Sequence, residues 1–157
     1  MATKTFKFLG PSHIGIYTYH FGVADASLLD FENANPLEMG EWLTLDSSQK
    51  LVRSANPGVP PGPYVMYAEK GRSDTQSLAD AGVPVIFIGG FWAETKIFNA
   101  GAAPALGAAL EVADVTYLTL TKSGLQTHAG GANPIIGYVT RTAANNNGWL
   151  QFQQVLV

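Results

Sequence analysis

The sequence contains no cysteine, few charges and no long apolar run, and each of these features argues against a class of protein. Without cysteine there is no disulfide framework, thiolate nucleophile or cysteine-ligated zinc site. Nine Lys and Arg against twelve Asp and Glu give a net charge of -3. That balance lacks the basic excess of nucleic-acid-binding proteins, so we expect no nucleic-acid partner. No stretch approaches the roughly 20 apolar residues of a membrane-spanning helix, so we expect no membrane partner.

The few charges are unevenly distributed. The N-terminal MATKTFKFLGPSHIG is broken at Gly10-Pro11 before any long apolar run, so we expect no export signal. Residues 8–49 contain acids and no Lys or Arg, whereas the charged residues after Asp114 are Lys122 and Arg141. A solvated acidic segment explains this pattern. A second interpretation is that patches of opposite sign meet on neighbouring copies or on a partner.

Motifs of catalysis and cofactor binding are also missing. His13, His20 and His128 are far apart and form no HExxH pattern, and no serine stands in a GxSxG elbow. Neither Gly89-Gly90 nor Gly130-Gly131 has the residues of a phosphate-binding loop. We therefore expect no enzyme activity, no cofactor and no metal.

Short β-type segments make up most of the sequence. The chain has 157 residues and 46% apolar content, enough for the core of one domain. We expect a single β-rich domain over residues 1–157, with residues 1–12 as an N-terminal arm. Val, Ile, Thr and aromatic residues are grouped in runs that Gly and Pro separate, which is typical of strands and turns. The predicted strands are residues 6–8, 14–19, 42–45, 51–52, 64–68, 83–88 and 91–98, the runs LGAALEV and VTYLTLT, and both arms of a terminal hairpin.

Turn residues define how these segments connect. Gly89-Gly90 separates two apolar runs and predicts a two-residue hairpin between them, Lys122–Gly124 predicts another turn, and Asn145–Gly148 predicts the tip of the terminal hairpin. Residues 21–39 read as a long loop with one helical turn, and SDTQSLADAG predicts one short helix. The expected fold class is all-β: a compact antiparallel barrel or sandwich of about ten strands with at most one short helix.

Alternation along the predicted strands separates a candidate interaction surface from the core. In the last strand Leu150 and Phe152 share one face, while Trp149, Gln151 and Gln153 share the other and are expected to face a partner. Exposed tryptophan is frequent in binding hot spots. The N-terminal arm is expected to be able to add as a strand to a neighbour's sheet. The candidate surface comprises Lys4, Phe6, Lys7, Trp92, Glu94, Lys96, Trp149, Gln151 and Gln153.

Four segments together resemble a known class of viral protein. GEWLTLD, GVPVIFIGGFWAETKIFNA, LGAALEV and IIGYVTRTAANNNGWLQFQ follow the order of elements in small head proteins of tailed bacteriophages. The chain is similar to their capsid decoration, or cement, proteins over residues 40–157, and residues before 40 carry no resemblance. The resemblance implies a compact barrel or tulip-like β fold that binds the capsid exterior at junctions between major capsid subunits, frequently as a trimer, without catalysis.

The leading hypothesis is therefore a non-enzymatic virion structural protein, made in the host cytoplasm and located on the capsid exterior. Its expected partners are the major capsid protein and further copies of itself, with a trimer favoured. Such a protein would stabilise the shell by burying area across subunit junctions. Two alternatives remain open. One is a phage tail-tube or head-completion protein, and the other is a carbohydrate-binding β-sandwich that stacks sugars on Trp92 or Trp149.

Overall fold

The fold is given by a computed structural model that describes residues 4–10, 18–29, 34–53, 64–66, 83–86 and 90–155. Within these residues eleven strands form two antiparallel sheets. In chain order the strands are β1 Phe6–Gly10, β2 Thr18–Phe21, β3 Trp42–Leu45, β4 Leu51–Arg53, β5 Tyr64–Met66, β6 Val83–Ile86, β7 Trp92–Thr95, β8 Ala109–Tyr117, β9 Leu120–Thr127, β10 Gly137–Arg141 and β11 Leu150–Gln154.

The two sheets divide the strands unequally. The six-stranded major sheet has the order β1-β7-β11-β10-β8-β9, and the five-stranded minor sheet has the order β2-β6-β5-β3-β4. The predicted all-β class is confirmed, and the arrangement is a sandwich rather than a closed barrel. Every strand pair in both sheets is antiparallel, which allows one face of a sheet to be buried and the other exposed.

Helical structure in the described part of the chain is limited to short 3₁₀ turns at Ala26–Leu29, Ala100–Ala102 and Ala143–Asn145. The first confirms the single helical turn predicted in the loop of residues 21–39. No helix among the described residues is long and apolar enough to span a membrane. The helix predicted from SDTQSLADAG lies outside the described residues.

The core lies between the sheets and is built by strand alternation. Phe6, Ala93, Leu150 and Phe152 come from the inner face of the major sheet, and Trp42 of the minor sheet packs into the same cluster. Full burial of one such apolar side chain contributes about 1.5 to 3 kcal/mol. A second cluster belongs to the minor sheet and contains Leu37, Leu43, Leu51, Met66, Val83 and Val85.

The hairpin predicted at Gly89-Gly90 is wrong. The two apolar runs form β6 and β7, but β6 pairs with β2 and β5 in the minor sheet while β7 pairs with β1 and β11 in the major sheet. Gly90 has a positive φ of 79°, as a glycine in a hairpin turn often does. The strands before and after it nevertheless belong to different sheets. Phe91 follows directly and is buried in the core between the sheets.

The turn predicted at Lys122–Gly124 is also wrong, because these residues lie inside β9. The β8–β9 hairpin turns earlier, at Leu118 and Thr119, whose φ angles are 47° and 68°. Gly124 serves a close approach rather than a turn: a Cβ built on it would lie 2.5 Å from a methyl group of Val115 and 2.6 Å from a backbone oxygen. The terminal hairpin between β10 and β11 is confirmed.

Candidate interaction surface

The face of the major sheet that points away from the core, called the outer face here, presents most of the predicted surface residues together. Lys7 on β1 pairs with Glu94 on β7, and Glu94 pairs with Gln151 on β11. Gln151 in turn lies opposite Arg141 on β10, next to a bulge in that strand. Because side chains paired in this way stand on the same face of a sheet, four neighbouring strands carry one row of polar groups.

A second row of the outer face is more apolar. Trp92 on β7 pairs with Gln153 on β11, which pairs with Tyr138 on β10. Trp92 is 52% exposed and Tyr138 is 44% exposed. The two aromatic side chains stand on strands separated by one other strand, so their backbones are roughly 10 Å apart. An aromatic side chain held on a sheet and left open to solvent is a common anchor in protein interfaces.

Trp149 lies beside these rows and is held by two lysines. The ammonium groups of Lys7 and Lys96 lie 4.1 Å and 5.1 Å from the centroid of its ring. Each such cation-π contact contributes about 0.5 to 1 kcal/mol at an exposed site. Asn146 Nδ2 donates to Glu94 Oε2 at 2.8 Å and to the Trp149 carbonyl at 3.1 Å. The hairpin tip is therefore tied to β7 by side-chain contacts as well as by strand pairing.

The structure corrects the prediction at the N-terminus. Phe6 is only 1% exposed and belongs to the core cluster, so it cannot contact a partner. Lys4 is exposed but precedes β1. Residues 6–10, which were expected to be part of an N-terminal arm, pair with β7 in the chain's own sheet. The reason is hydrophobic: Phe6 and Phe8 alternate with Lys7, so the strand has an apolar side that this sheet buries.

Sequence reasoning missed two members of the outer face, Tyr138 and Arg141. The signal for Tyr138 is the alternation in GYVTR. In the structure Gly137 and Val139 are buried, and Tyr138 between them is exposed. Gly137 is needed there because a Cβ on it would lie 2.6 Å from the Gln153 carbonyl oxygen. The outer face thus comprises Lys7, Trp92, Glu94, Lys96, Tyr138, Arg141, Trp149, Gln151 and Gln153.

A buried ionic cluster lies on the other side of the major sheet. Glu41 has a fully buried side chain and accepts from Arg53 Nε at 2.7 Å and Nη2 at 3.0 Å. Its carboxylate also accepts from the backbone N–H of Ser123 at 3.0 Å and of Glu38 at 2.7 Å. The fully buried Lys122 Nζ lies 4.0 Å away and donates to the Pro36 carbonyl at 2.6 Å. The cluster joins β4 and the segment before β3 to β9. Since β4 belongs to the minor sheet and β9 to the major sheet, these buried contacts connect the two layers.

A second polar cluster lies where β9 ends. The buried Glu111 carboxylate accepts from Gln126 Nε2 at 2.7 Å and from the backbone N–H of Ala129 at 3.3 Å. His128 Nε2 donates to the Asn133 carbonyl at 2.8 Å, while its Nδ1 accepts from the Gly130 N–H at 3.1 Å. Both nitrogens of His128 are thus used to shape the HAGGANP loop.

Three described side chains, Asp25, Tyr64 and Tyr117, have shifted pKa values. The hydroxyl and then the backbone N–H of Ser27 donate to Asp25 and lower the pKa of its carboxyl group. Burial raises the pKa of Tyr64, and burial followed by the nearby Glu38 charge raises the pKa of Tyr117.

The chemistry that this arrangement supports is recognition. Among the described residues no group of three His, Asp or Glu side chains could hold a metal ion. His13 lies outside the described residues, and only the backbone of His20 in β2 is described. The outer face offers aromatic, amide and charged groups on a rigid sheet, as a binding surface requires.

Comparisons with known proteins returned no relatives. No protein-family model matches the chain, and no curated protein and no solved structure matches it significantly.

Proposed function

We propose that this chain is a non-enzymatic assembly protein, and specifically a decoration protein of a bacteriophage capsid, which makes its protein contacts through the outer face of the major sheet. The supporting observation is the row of Trp92, Gln153 and Tyr138, which stands on one sheet face beside the basic residues Lys7 and Arg141. Trp, Tyr and Arg are the residues that contribute most often to hot spots between proteins.

The capsid assignment within this class depends on the resemblance of residues 40–157 to decoration proteins. The fold is compatible with it, because a sandwich stabilised by its own core leaves an outer face available for contacts. A protein of this kind raises the barrier to separation of capsid subunits by burying area between them. Many copies on one lattice add their effects.

Sedimentation with capsids tests the assignment. Capsids would be assembled from the major capsid protein encoded nearest to this chain and prepared in expanded and unexpanded forms. The chain is expected to pellet with one or both forms in a saturable manner. If it stays in the supernatant with both forms, it is not a decoration protein of that capsid.

A pair of variants locates the binding surface. Trp92→Ala combined with Tyr138→Ala is expected to weaken capsid association by at least about tenfold, because hot-spot truncations cost about 2 kcal/mol or more. Leu106→Ala combined with Leu118→Ala is the matched control, since both leucines are exposed in loops outside the outer face. Equal loss with both variants would show that the outer face is not the binding surface.

A further inference from the structure

The two layers of the sandwich carry charges of opposite sign. On the outer face Lys7, Lys96 and Arg141 oppose one acid, Glu94, which leaves a net charge of +2. The whole chain nevertheless has a net charge of -3. The compensating acids must therefore lie elsewhere on the molecule.

Several of those acids surround the minor sheet. Asp46 lies in the β3–β4 turn, and Asp25 follows the segment that bonds to β4, where the Ala24 N–H donates to the Leu51 carbonyl at 3.0 Å. Asp25 is exposed and, like an ordinary carboxyl group, is ionised at neutral pH; the hydrogen bonds from Ser27 lower its pKa further. Among the described residues of this layer four acids (Asp25, Glu38, Glu41 and Asp46) oppose two bases (Lys50 and Arg53), which leaves a net charge of -2. We call the region of Asp25 and Asp46 the acidic edge.

Charge also determines how two copies can meet. Two outer faces packed against each other would bring like charges together, which is destabilising. An outer face packed against the acidic edge of another copy brings opposite charges together. The contact then joins two different patches of the chain, so it is heterologous, and repetition gives a closed ring or an open filament.

We propose that the outer face binds the acidic edge of a second copy of this chain, in a head-to-tail contact with Trp92 and Tyr138 at its centre. This proposal rests on the proposed function and deepens it, because it names a second copy as the partner of the outer face. Loss of Trp92 and Tyr138 would then weaken capsid association by preventing copies from assembling and binding the capsid together. The proposed contact itself requires no capsid. The purified chain alone is therefore sufficient to test it.

Sedimentation velocity of the purified chain is the first test. Association is expected at low ionic strength, with a dissociation constant that rises by at least about tenfold between about 50 mM and about 500 mM NaCl, because salt screens exposed charges. A chain that stays monomeric at every concentration in low salt overturns the proposal. If such a chain still pellets with capsids, the proposed function stands and only this inference fails.

Complementary charge reversals give the decisive test. The face variant carries Lys7→Glu and Arg141→Glu, and the edge variant carries Asp25→Lys and Asp46→Lys. Each variant alone would oppose like charges and is expected to be monomeric. An equimolar mixture is expected to assemble, since every contact between the two variants again joins opposite charges.

Two controls keep this result interpretable. Asp46 Oδ1 accepts from the N–H groups of Ser48 and Lys50, and Asp25 accepts from Ser27, so lysine at these sites also removes turn contacts. Asp25→Asn with Asp46→Asn retains an acceptor oxygen at each site, and this neutral variant is expected to assemble more weakly than wild type while melting near it. Assembly of either charge-reversed variant alone, or a mixture that remains monomeric while both variants are folded, would overturn the head-to-tail contact. A dimer that survives the edge variant but not the face variant would show that two outer faces pack together instead.

Discussion

The carboxylate of Glu41 should be among the most sensitive side chains in the molecule. It is fully buried and accepts four hydrogen bonds, two from Arg53 and one each from the backbone N–H groups of Ser123 and Glu38. Glu41→Ala removes the acceptor of all four at once. It also leaves the buried ammonium of Lys122 without the opposite charge that lies 4.0 Å away.

The expected loss can be estimated in two ways. Hydrogen bonds that involve a charged group contribute about 1.5 to 3 kcal/mol each, but the four share one carboxylate and do not add. Removing one partner of a buried ion pair costs about 3 to 5 kcal/mol, because the remaining charge is left uncompensated. We expect Glu41→Ala to lower the free energy of unfolding by about 3 to 5 kcal/mol.

Urea unfolding followed by far-ultraviolet circular dichroism measures this change. Lys122→Met should destabilise the Glu41→Ala variant by at least about 0.5 kcal/mol less than it destabilises the wild type, because the attraction between the Lys122 ammonium and the Glu41 carboxylate is already absent. A loss below about 1 kcal/mol for Glu41→Ala, or no coupling between the two positions, would refute the argument that the cluster holds the two sheets together.

Three further predictions concern the backbone and one tyrosine. Gly124→Ala should destabilise the chain by about 1 to 3 kcal/mol, because the new Cβ meets the Ile97 carbonyl at 2.6 Å, whereas Gly131→Ala, with nothing within 4 Å, should change stability little; equal urea midpoints for both variants would contradict this. Thr119→Gly should stabilise the β8–β9 hairpin by about 1 kcal/mol, because Thr119 has a φ of 68°, and an unchanged thermal midpoint would argue against strain there. The pKa of Tyr117 is raised above its ordinary value of 10.0, so its contribution to stability is present below pH 10 and is lost as the pH rises through the folded pKa. Tyr117→Phe should therefore reduce the loss of stability at alkaline pH that urea unfolding measures. An identical pH profile for the variant and the wild type would refute the assignment.

Local pattern predicted many of the strands and their faces, although the run VTYLTLT, predicted as one strand, contains the β8–β9 turn at Leu118 and Thr119. Alternation placed Leu150 and Phe152 inward and Gln151 and Gln153 outward, and the structure agrees, because a strand with period two has one choice of buried face once a core is available. The same rule predicted that Trp92 is exposed. The prediction for Phe6 was wrong because it departed from this rule: Phe6 was assigned to an arm, although its alternation with Lys7 indicated a half-buried strand.

The sequence alone could not determine which strands pair. Gly89-Gly90 has the composition of a hairpin turn, yet β6 and β7 belong to different sheets, since pairing depends on which apolar faces the whole core can bury. The buried contacts of Glu41 with Arg53 and Ser123 likewise join residues 12 and 82 positions apart. Where local turn residues and the arrangement of the two sheets disagree, the arrangement that buries the apolar side chains prevails. Which side chains are buried together is seen only in the tertiary structure.

What the sequence itself determined is the class of molecule: an all-β chain without cysteine, either a barrel or a sandwich, with one polar face on its last strand. The tertiary structure decided that Lys7, Trp92, Tyr138 and Trp149 share one face, although they come from three distant segments of the chain: β1, β7 and the terminal hairpin. The physical reason is that periodicity acts within a strand, whereas the order of strands in a sheet is set by the packing of the two layers against each other.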